Sequence, residues 1–342
     1  MSSYGRQMAS GTDGSCAHSL ERSDSSYAML NEAPIFVNAF ARGGSTILVN
    51  LLLSHPNVCY LSAETHKVFR GGARFDLRWH SLYRRIRYEL PLLLGSGDAL
   101  FRPRILAPRR ELSQRARRHI DWVLYREKLN ARDGRHNRFV REGTAYTDSQ
   151  IAQARVLCKN VNGIVMMTDN FAAMYPDATF FGLIRNGLAL CEGYVRRGIA
   201  AEDCAQMYRL LVGKMFSDAS RLRNYHIVRF EDLTRDPVAA MQVLYRHARL
   251  DFEAVEKVRM QLQFRPTTSI SGEHRLERSF DRQIAWYAKA DLPSLFRTDI
   301  DRIQAARLSA RHREAFLKIA GDTMEMLGYS SEAASHRAET AG

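Results

Sequence analysis

The sequence predicts an α/β protein: three layers, with a parallel sheet flanked by helices on both faces. Three observations carry that prediction. Short apolar runs alternate with helical stretches; two of those runs end in a glycine-bearing turn that opens a helix; and Pro56, Pro176 and Pro237 fall at element boundaries rather than inside them.

In chain order, the first strand is predicted over 35–39, inside APIFVNAF, and the first helix over 45–54, starting at Ser45 or Thr46 behind Gly43 and Gly44. A second strand is read at 58–61, and RVLCK gives a third over 155–159, followed by a helix over 163–174. The apolar run ATFFGLI makes a strand over 179–185 that ends in Arg185; the turn at Asn186-Gly187 then leads into a helix over 187–197. A helix over 203–223, a strand over 225–230 and helices over 237–248 and 309–327 complete the reading. Ser, Gly and Asp dominate residues 1–30, and 331–342 is small and polar, so both ends are expected to be disordered tails around one domain over 31–330.

The first strand, turn and helix form the architecture of a phosphate cradle. Amides in the first turn of a helix have no intrahelical partner and lie at the positive end of its dipole, so they bind an anion. Gly43 and Gly44 allow close backbone approach, Ser45 and Thr46 add hydroxyl donors, and Arg42 supplies a charged fork. The nucleoside triphosphate motif GxxxxGK[ST] is absent, because Arg42 precedes the glycines and no Lys follows them. A different nucleotide is expected.

The cradle resembles the 5′-phosphosulfate loop of sulfotransferases that use 3′-phosphoadenosine-5′-phosphosulfate (PAPS). The variant with Arg in place of Lys is that of the Golgi-type carbohydrate, tyrosylprotein and bacterial branches. The resemblance implies a P-loop-like sulfotransferase fold, PAPS as co-substrate and no metal. It extends along the chain from Pro34 to Tyr329 and is strongest in the two phosphate segments. Arg185, at the carboxyl end of its strand, matches the family's 3′-phosphate clamp. Eight residues on, where the family carries Ser, stands Gly193, which lacks that hydroxyl; Arg197, twelve residues after Arg185, matches a further 3′-phosphate arginine of the tyrosylprotein branch. Glu64-Thr65 resembles the Glu-Thr of the Golgi branch, whose Glu is the catalytic base, while His66 is the rival, since cytosolic relatives use His. Lys159 falls near the family's leaving-group lysine. YHIVRFEDLTRDP resembles the family's strand and turn with Phe230 in the Tyr position, and Ser279 with Trp286 resembles the loop that closes over PAPS. Ala285 replaces that loop's lysine, with Arg282 or Lys289 as substitutes.

Composition bounds the function independently. The 342 residues, 45% hydrophobic, suffice for a large core. No apolar run is long enough to span a membrane and no secretory leader is evident. Cys16, Cys59, Cys158, Cys191 and Cys204 show no CxxC spacing and read as reduced thiols, so a cytoplasmic location is expected. His spacings form no HExxH or similar metal site. Of the net charge of +13, twelve units fall in 70–141, an Arg-rich helical insertion of 18 Arg and one Lys against seven acidic residues. Such a field would attract the charged donor and an anionic acceptor, and the interleaved Trp79, Tyr83, Tyr88, Trp122 and Tyr125 suit either sugar stacking or a helical core.

These readings converge on sulfuryl transfer from PAPS to a hydroxyl or amine of a carbohydrate or other polar acceptor. Glu64 is the proposed base, with Arg42 and Lys159 stabilising charge on the leaving oxygen. Two other classes share some features. A P-loop-like kinase or NTPase should show GK[ST] and a magnesium-binding Asp at a strand end. A non-catalytic nucleic-acid-binding protein would account for the pI of about 9.7 but not for the phosphate features gathered in an α/β crevice, so no nucleic acid is expected as partner.

Overall fold

A computed structural model describes residues 30, 33–61, 63–70, 79–96, 100–130, 147–268 and 274–329, without the side chains of 80 and 261–283. In chain order, β1 (Ile35–Ala39), α1 (Ser45–Leu53), β2 (Val58–Tyr60) and α2 (Thr65–Arg70) come first. The Arg-rich segment contributes α3 (Trp79–Arg84), a π-helical stretch (Arg85–Glu89), α4 (Leu90–Ser96) and α5 (Gln114–Asn130). Next come α6 (Asp148–Gln153), β3 (Arg155–Val161), a 3-10 turn (Asn162–Met167), α7 (Thr168–Met174), β4 (Thr179–Ile184), α8 (Gly187–Val195) and α9 (Ala201–Arg221). The chain continues through β5 (Tyr225–Arg229), α10 (Phe230–Arg235), α11 (Pro237–Ala248), β6 (Lys257–Thr268), β7 (His274–Ala288), α12 (Ile300–Ala306) and α13 (Ala310–Met326).

The five strands read from the sequence form one parallel sheet in the order β2-β3-β1-β4-β5. Both faces are covered, as near-continuous apolar strands require. Side chains alternate: Ile35, Val37, Ala39, Leu157, Phe181 and Leu183 pack against α1 and α11. On the opposite face, Phe36, Cys59, Val156, Phe180 and Ile184 pack against residues of α5, α7, α8, α9 and α13. Phe36 stacks on Phe171 at 4.6 Å and on Phe180 at 5.0 Å between ring centroids. Truncating so buried an aromatic costs about 3–5 kcal/mol.

Strand order also positions the site. From β1 the chain passes over β3 to reach β2, whereas from β3 it passes over β1 to reach β4. These opposite directions open a crevice between the carboxyl ends of β1 and β3. Just below it, a buried polar chain spans three strands: Asn160 donates to Asn38 at 2.9 Å, and Asn38 donates to Thr168 at 2.9 Å and to the Tyr225 hydroxyl at 3.2 Å. These bonds satisfy the Asn38 amide on both its oxygen and its nitrogen, as a buried amide needs.

The expected boundaries differ only at their ends. The third strand runs on to Val161, and the expected helix over 163–174 is a 3-10 turn followed by α7. The antiparallel hairpin of β6 and β7 has no counterpart in the sequence reading. It lies across α1, with the Arg259 N–H donating to Ser54 Oγ at 2.8 Å and its guanidinium bonded to Asn50. The expected tails lie outside the described residues except for Leu30, which is buried and donates its N–H to Asp121 at 3.4 Å. Cys16 lies outside too, while the other four cysteines are buried and form no disulfide among the described residues. Among the described residues, no helix is long and apolar enough to cross a membrane, and no three His, Cys, Asp or Glu gather as for a metal.

Candidate active site

The cradle after β1 is a tight turn. Gly43 N–H donates to Phe40 O at 3.0 Å, and Arg42 and Gly44 both take left-handed backbone, at φ 70° and 83°. Only glycine fits at 44, because a Cβ there would lie 2.2 Å from the Phe230 ring in addition to the positive φ. Helix α1 therefore starts without a side-chain cap or any acidic residue in its first turn. Its positive end carries Ser45 and Thr46 at its first positions, an arrangement able to hold an anion.

Across the crevice, Glu64 immediately precedes α2, and its carbonyl accepts the N–H of Lys67 at 2.7 Å. Its carboxylate meets Lys67 Nζ at 2.7 Å and Lys159 Nζ at 3.4 Å, with His66 Nε2 at 3.9 Å. The two elements are pinned together, since Thr65 Oγ1 donates to Lys159 O at 3.1 Å. Burial by itself raises the Glu64 carboxyl, but the charges of Lys159 and Lys67 outweigh it and hold the group down at about 2. Burial lowers His66 to about 4 against the pull of Glu64. At neutral pH the site therefore holds a carboxylate and a neutral imidazole, and the buried Nδ1 of that imidazole has no hydrogen-bond partner among the described residues.

Arg185 follows β4 and is buried. Its Nε donates to Asp301 at 2.8 Å, its Nη2 bonds Asp301 and donates to Gln304 at 2.7 Å, and its Nη1 donates to Arg42 O at 3.1 Å. The guanidinium also stacks over Phe230, 4.1 Å from the ring centre. Arg185 is thus next to the cradle, but it is already paired with a carboxylate. Gly193 faces the same turn, where an added Cβ would sit 3.6 Å from Arg42 Cβ, ordinary contact distance. Arg197 is exposed just beyond α8. Ser279 lies in strand β7 with its side chain outside the described residues, and Lys289 is engaged with Phe252 and Glu253.

Several residues that shape the site went unread in the sequence. Asn162, at φ 52° beyond β3, accepts the Ala41 N–H at 2.8 Å and the Tyr194 hydroxyl at 3.0 Å, tying the cradle to β3 and α8. The Asn-Gly pair at 162–163 is the signal that could have flagged such a turn. Asp301 and Gln304 come from α12, far along the chain, and nothing local marks them. Glu231 accepts the Asn186 N–H at 2.9 Å and the Tyr329 hydroxyl at 2.8 Å, and burial raises its pKa.

The sulfotransferase family model matches residues 34–254, which span every strand of the parallel sheet and both sides of the crevice. Among solved structures, the sulfotransferase domain of the Synechococcus PCC 7002 olefin synthase is 16% identical, with 85% of this chain and 94% of that one covered at a TM-score of 0.42. A sulfotransferase from Mycobacterium tuberculosis is 17% identical over 81% of this chain and 77% of that one, at a TM-score of 0.35. One from Alicyclobacillus acidocaldarius is 15% identical over 64% and 82%, at 0.35. Among curated protein sequences none matches. With a match to well over half its length, carrying the cradle and both crevice strands, this chain belongs to the sulfotransferase family.

Proposed function

We propose that the protein transfers a sulfuryl group from PAPS to the hydroxyl or amine of a carbohydrate or other polar acceptor. The observation that carries the reading is the meeting of Glu64 with Lys159 beside an uncapped helix N-terminus. The donor supplies an activated sulfuryl group on a 5′-phosphate oxygen. In the reaction the bond from sulfur to that oxygen breaks, a bond from sulfur to the acceptor heteroatom forms, and the acceptor proton passes to a base.

In this reading Glu64 is that base, and its two lysines keep it ionised. Lys159 turns from the carboxylate toward the leaving oxygen as charge develops there, which restores basicity to Glu64 when the proton arrives. Arg42 and the first amides of α1 hold the 5′-phosphate end. Arg185 serves the 3′-phosphate by exchanging part of its contact with Asp301, with Arg197 at the rim. Neutral His66, with its unpartnered Nδ1, orients the acceptor.

Calorimetry tests the donor assignment: 3′-phosphoadenosine-5′-phosphate should bind far more tightly than adenosine 5′-monophosphate, and ATP and single-stranded DNA should bind weakly. Equal affinity for the two adenosine nucleotides would remove the 3′-phosphate assignment. Tighter ATP binding would favour the kinase class.

A further inference from the structure

The helical stretch from Trp79 to Ser96 is amphipathic in the wrong sense for a solvent-facing helix. Its inward side carries Ser81, Arg84, Tyr88 and Leu92, all buried. Arg84 is sequestered by Glu127 at 2.7 Å and donates to Val68 O at 2.8 Å. The outward side is apolar: Trp79 is 86% exposed, Leu94 79% and Ile86 56%, with Leu82, Tyr83 and Leu90 also exposed. Arg87 is the one exposed charged side chain on this described stretch. Contiguous apolar surface of this kind marks a docking face.

Its surroundings are basic. Arg87 and exposed Arg126 both stack on Trp122 of the adjoining α5, at 5.2 and 5.7 Å from its ring. Arg102, Arg104, Arg110 and Arg115 are also exposed in the same segment, which carries nearly all the chain's net positive charge. A second copy docked by twofold symmetry would bring these like charges together. An anionic surface would complement them. Tryptophan and tyrosine among aliphatic side chains, flanked by arginine, match the boundary between lipid headgroups and acyl chains.

We propose that the exposed face of Trp79–Ser96 seats on an anionic lipid bilayer, with Trp79, Ile86, Leu90 and Leu94 entering the interface and Arg87 and Arg126 meeting the headgroups. This is peripheral attachment, and it does not depend on the donor or base assignments.

The test is sedimentation of the full chain with vesicles of phosphatidylcholine alone and of phosphatidylcholine with phosphatidylglycerol in equal parts. The protein should pellet with the anionic vesicles, less so in high salt and little with neutral ones. Fluorescence should shift to the blue on binding, and Trp79→Phe should remove most of that shift. Ile86→Glu with Leu94→Glu should weaken vesicle binding roughly ten-fold or more, the scale of exposing one or two buried aliphatic side chains, at unchanged melting temperature. Should that double variant not fold, Trp79→Glu alone gives the same reading. Failure of the wild type to pellet, or equal pelleting of the variants, would overturn the proposal. So would a wild-type dimer that ignores vesicles and becomes monomeric in the double variant, which would name a second copy as the occupant.

Discussion

Glu64 Oε1 lies 3.4 Å from Lys159 Nζ, although one residue follows β2 and the other lies within β3. Lys159 is buried and Glu64 nearly so, so the pair interacts in a medium that screens poorly. The ammonium sets the protonation of the carboxylate as well as lying beside it.

Removing that charge should therefore show in the pH profile. Glu64 is held below its ordinary 4.5, at about 2, so the wild-type kcat/KM should show no Glu64 limb between pH 5 and 8. In Lys159→Met the carboxyl titrates higher and the acid limb moves up toward neutrality, while turnover falls by roughly 10² to 10³. Stability follows the same sign. A depressed carboxyl contributes above its unfolded value and loses that contribution as pH falls toward 2; the variant has less of it to lose, so its stability should fall less than that of the wild type over the same acid range. An unmoved limb would uncouple the pair.

Glu64→Gln keeps the shape and removes the proposed base. It should lose roughly 10² to 10⁴ in rate, with affinity for 3′-phosphoadenosine-5′-phosphate nearly unchanged, whereas His66→Ala should cost much less. The reverse ranking in a turnover assay would make neutral His66 the base.

Two glycines beside the cradle should behave in opposite ways. Gly44→Ala meets the Phe230 ring and a φ of 83°, so a fall in melting temperature from roughly 1–3 kcal/mol of strain or more is expected. Gly193→Ser has room, with Arg42 Cβ 3.6 Å from the new Cβ. Its melting temperature should hold, and its preference for the 3′-phosphorylated nucleotide should increase as the hydroxyl is restored.

Arg42→Ala should leave a folded protein with turnover lower by roughly 10² to 10³, the scale for one preorganised donor. A collapsed melting temperature would instead make Arg42 structural.

Asp301 is paired with Arg185, the proposed 3′-phosphate clamp. Asp301→Asn should lower stability, since breaking a buried pair costs about 3–5 kcal/mol, yet tighten binding of 3′-phosphoadenosine-5′-phosphate relative to adenosine 5′-monophosphate. Destabilisation with unchanged selectivity would leave Arg185 as a structural anchor of α12.

The sequence by itself determined the sheet and the cradle. Strands such as Ile35–Ala39 and Thr179–Ile184 are apolar on both faces, so their burial between helices follows from composition and length. The turn through Gly43 and Gly44 was legible because left-handed backbone followed by a helix start leaves a local signature. Glu64, Lys159 and Arg185 could be named as strand-end residues, but not their partners. Those depend on strand order, which brings β3 beside β2 and so Lys159 to Glu64. They depend also on α12 folding back to put Asp301 on Arg185, and on Phe230 filling the space over Gly44. The β6–β7 hairpin went unread although Lys257–Phe264 alternates polar and apolar residues, with Val258 and Met260 buried, which is the local mark of a half-buried strand. Local pattern encodes an element because its cause lies within a few residues; ion pairs between distant segments are decided only when the tertiary fold makes them neighbours.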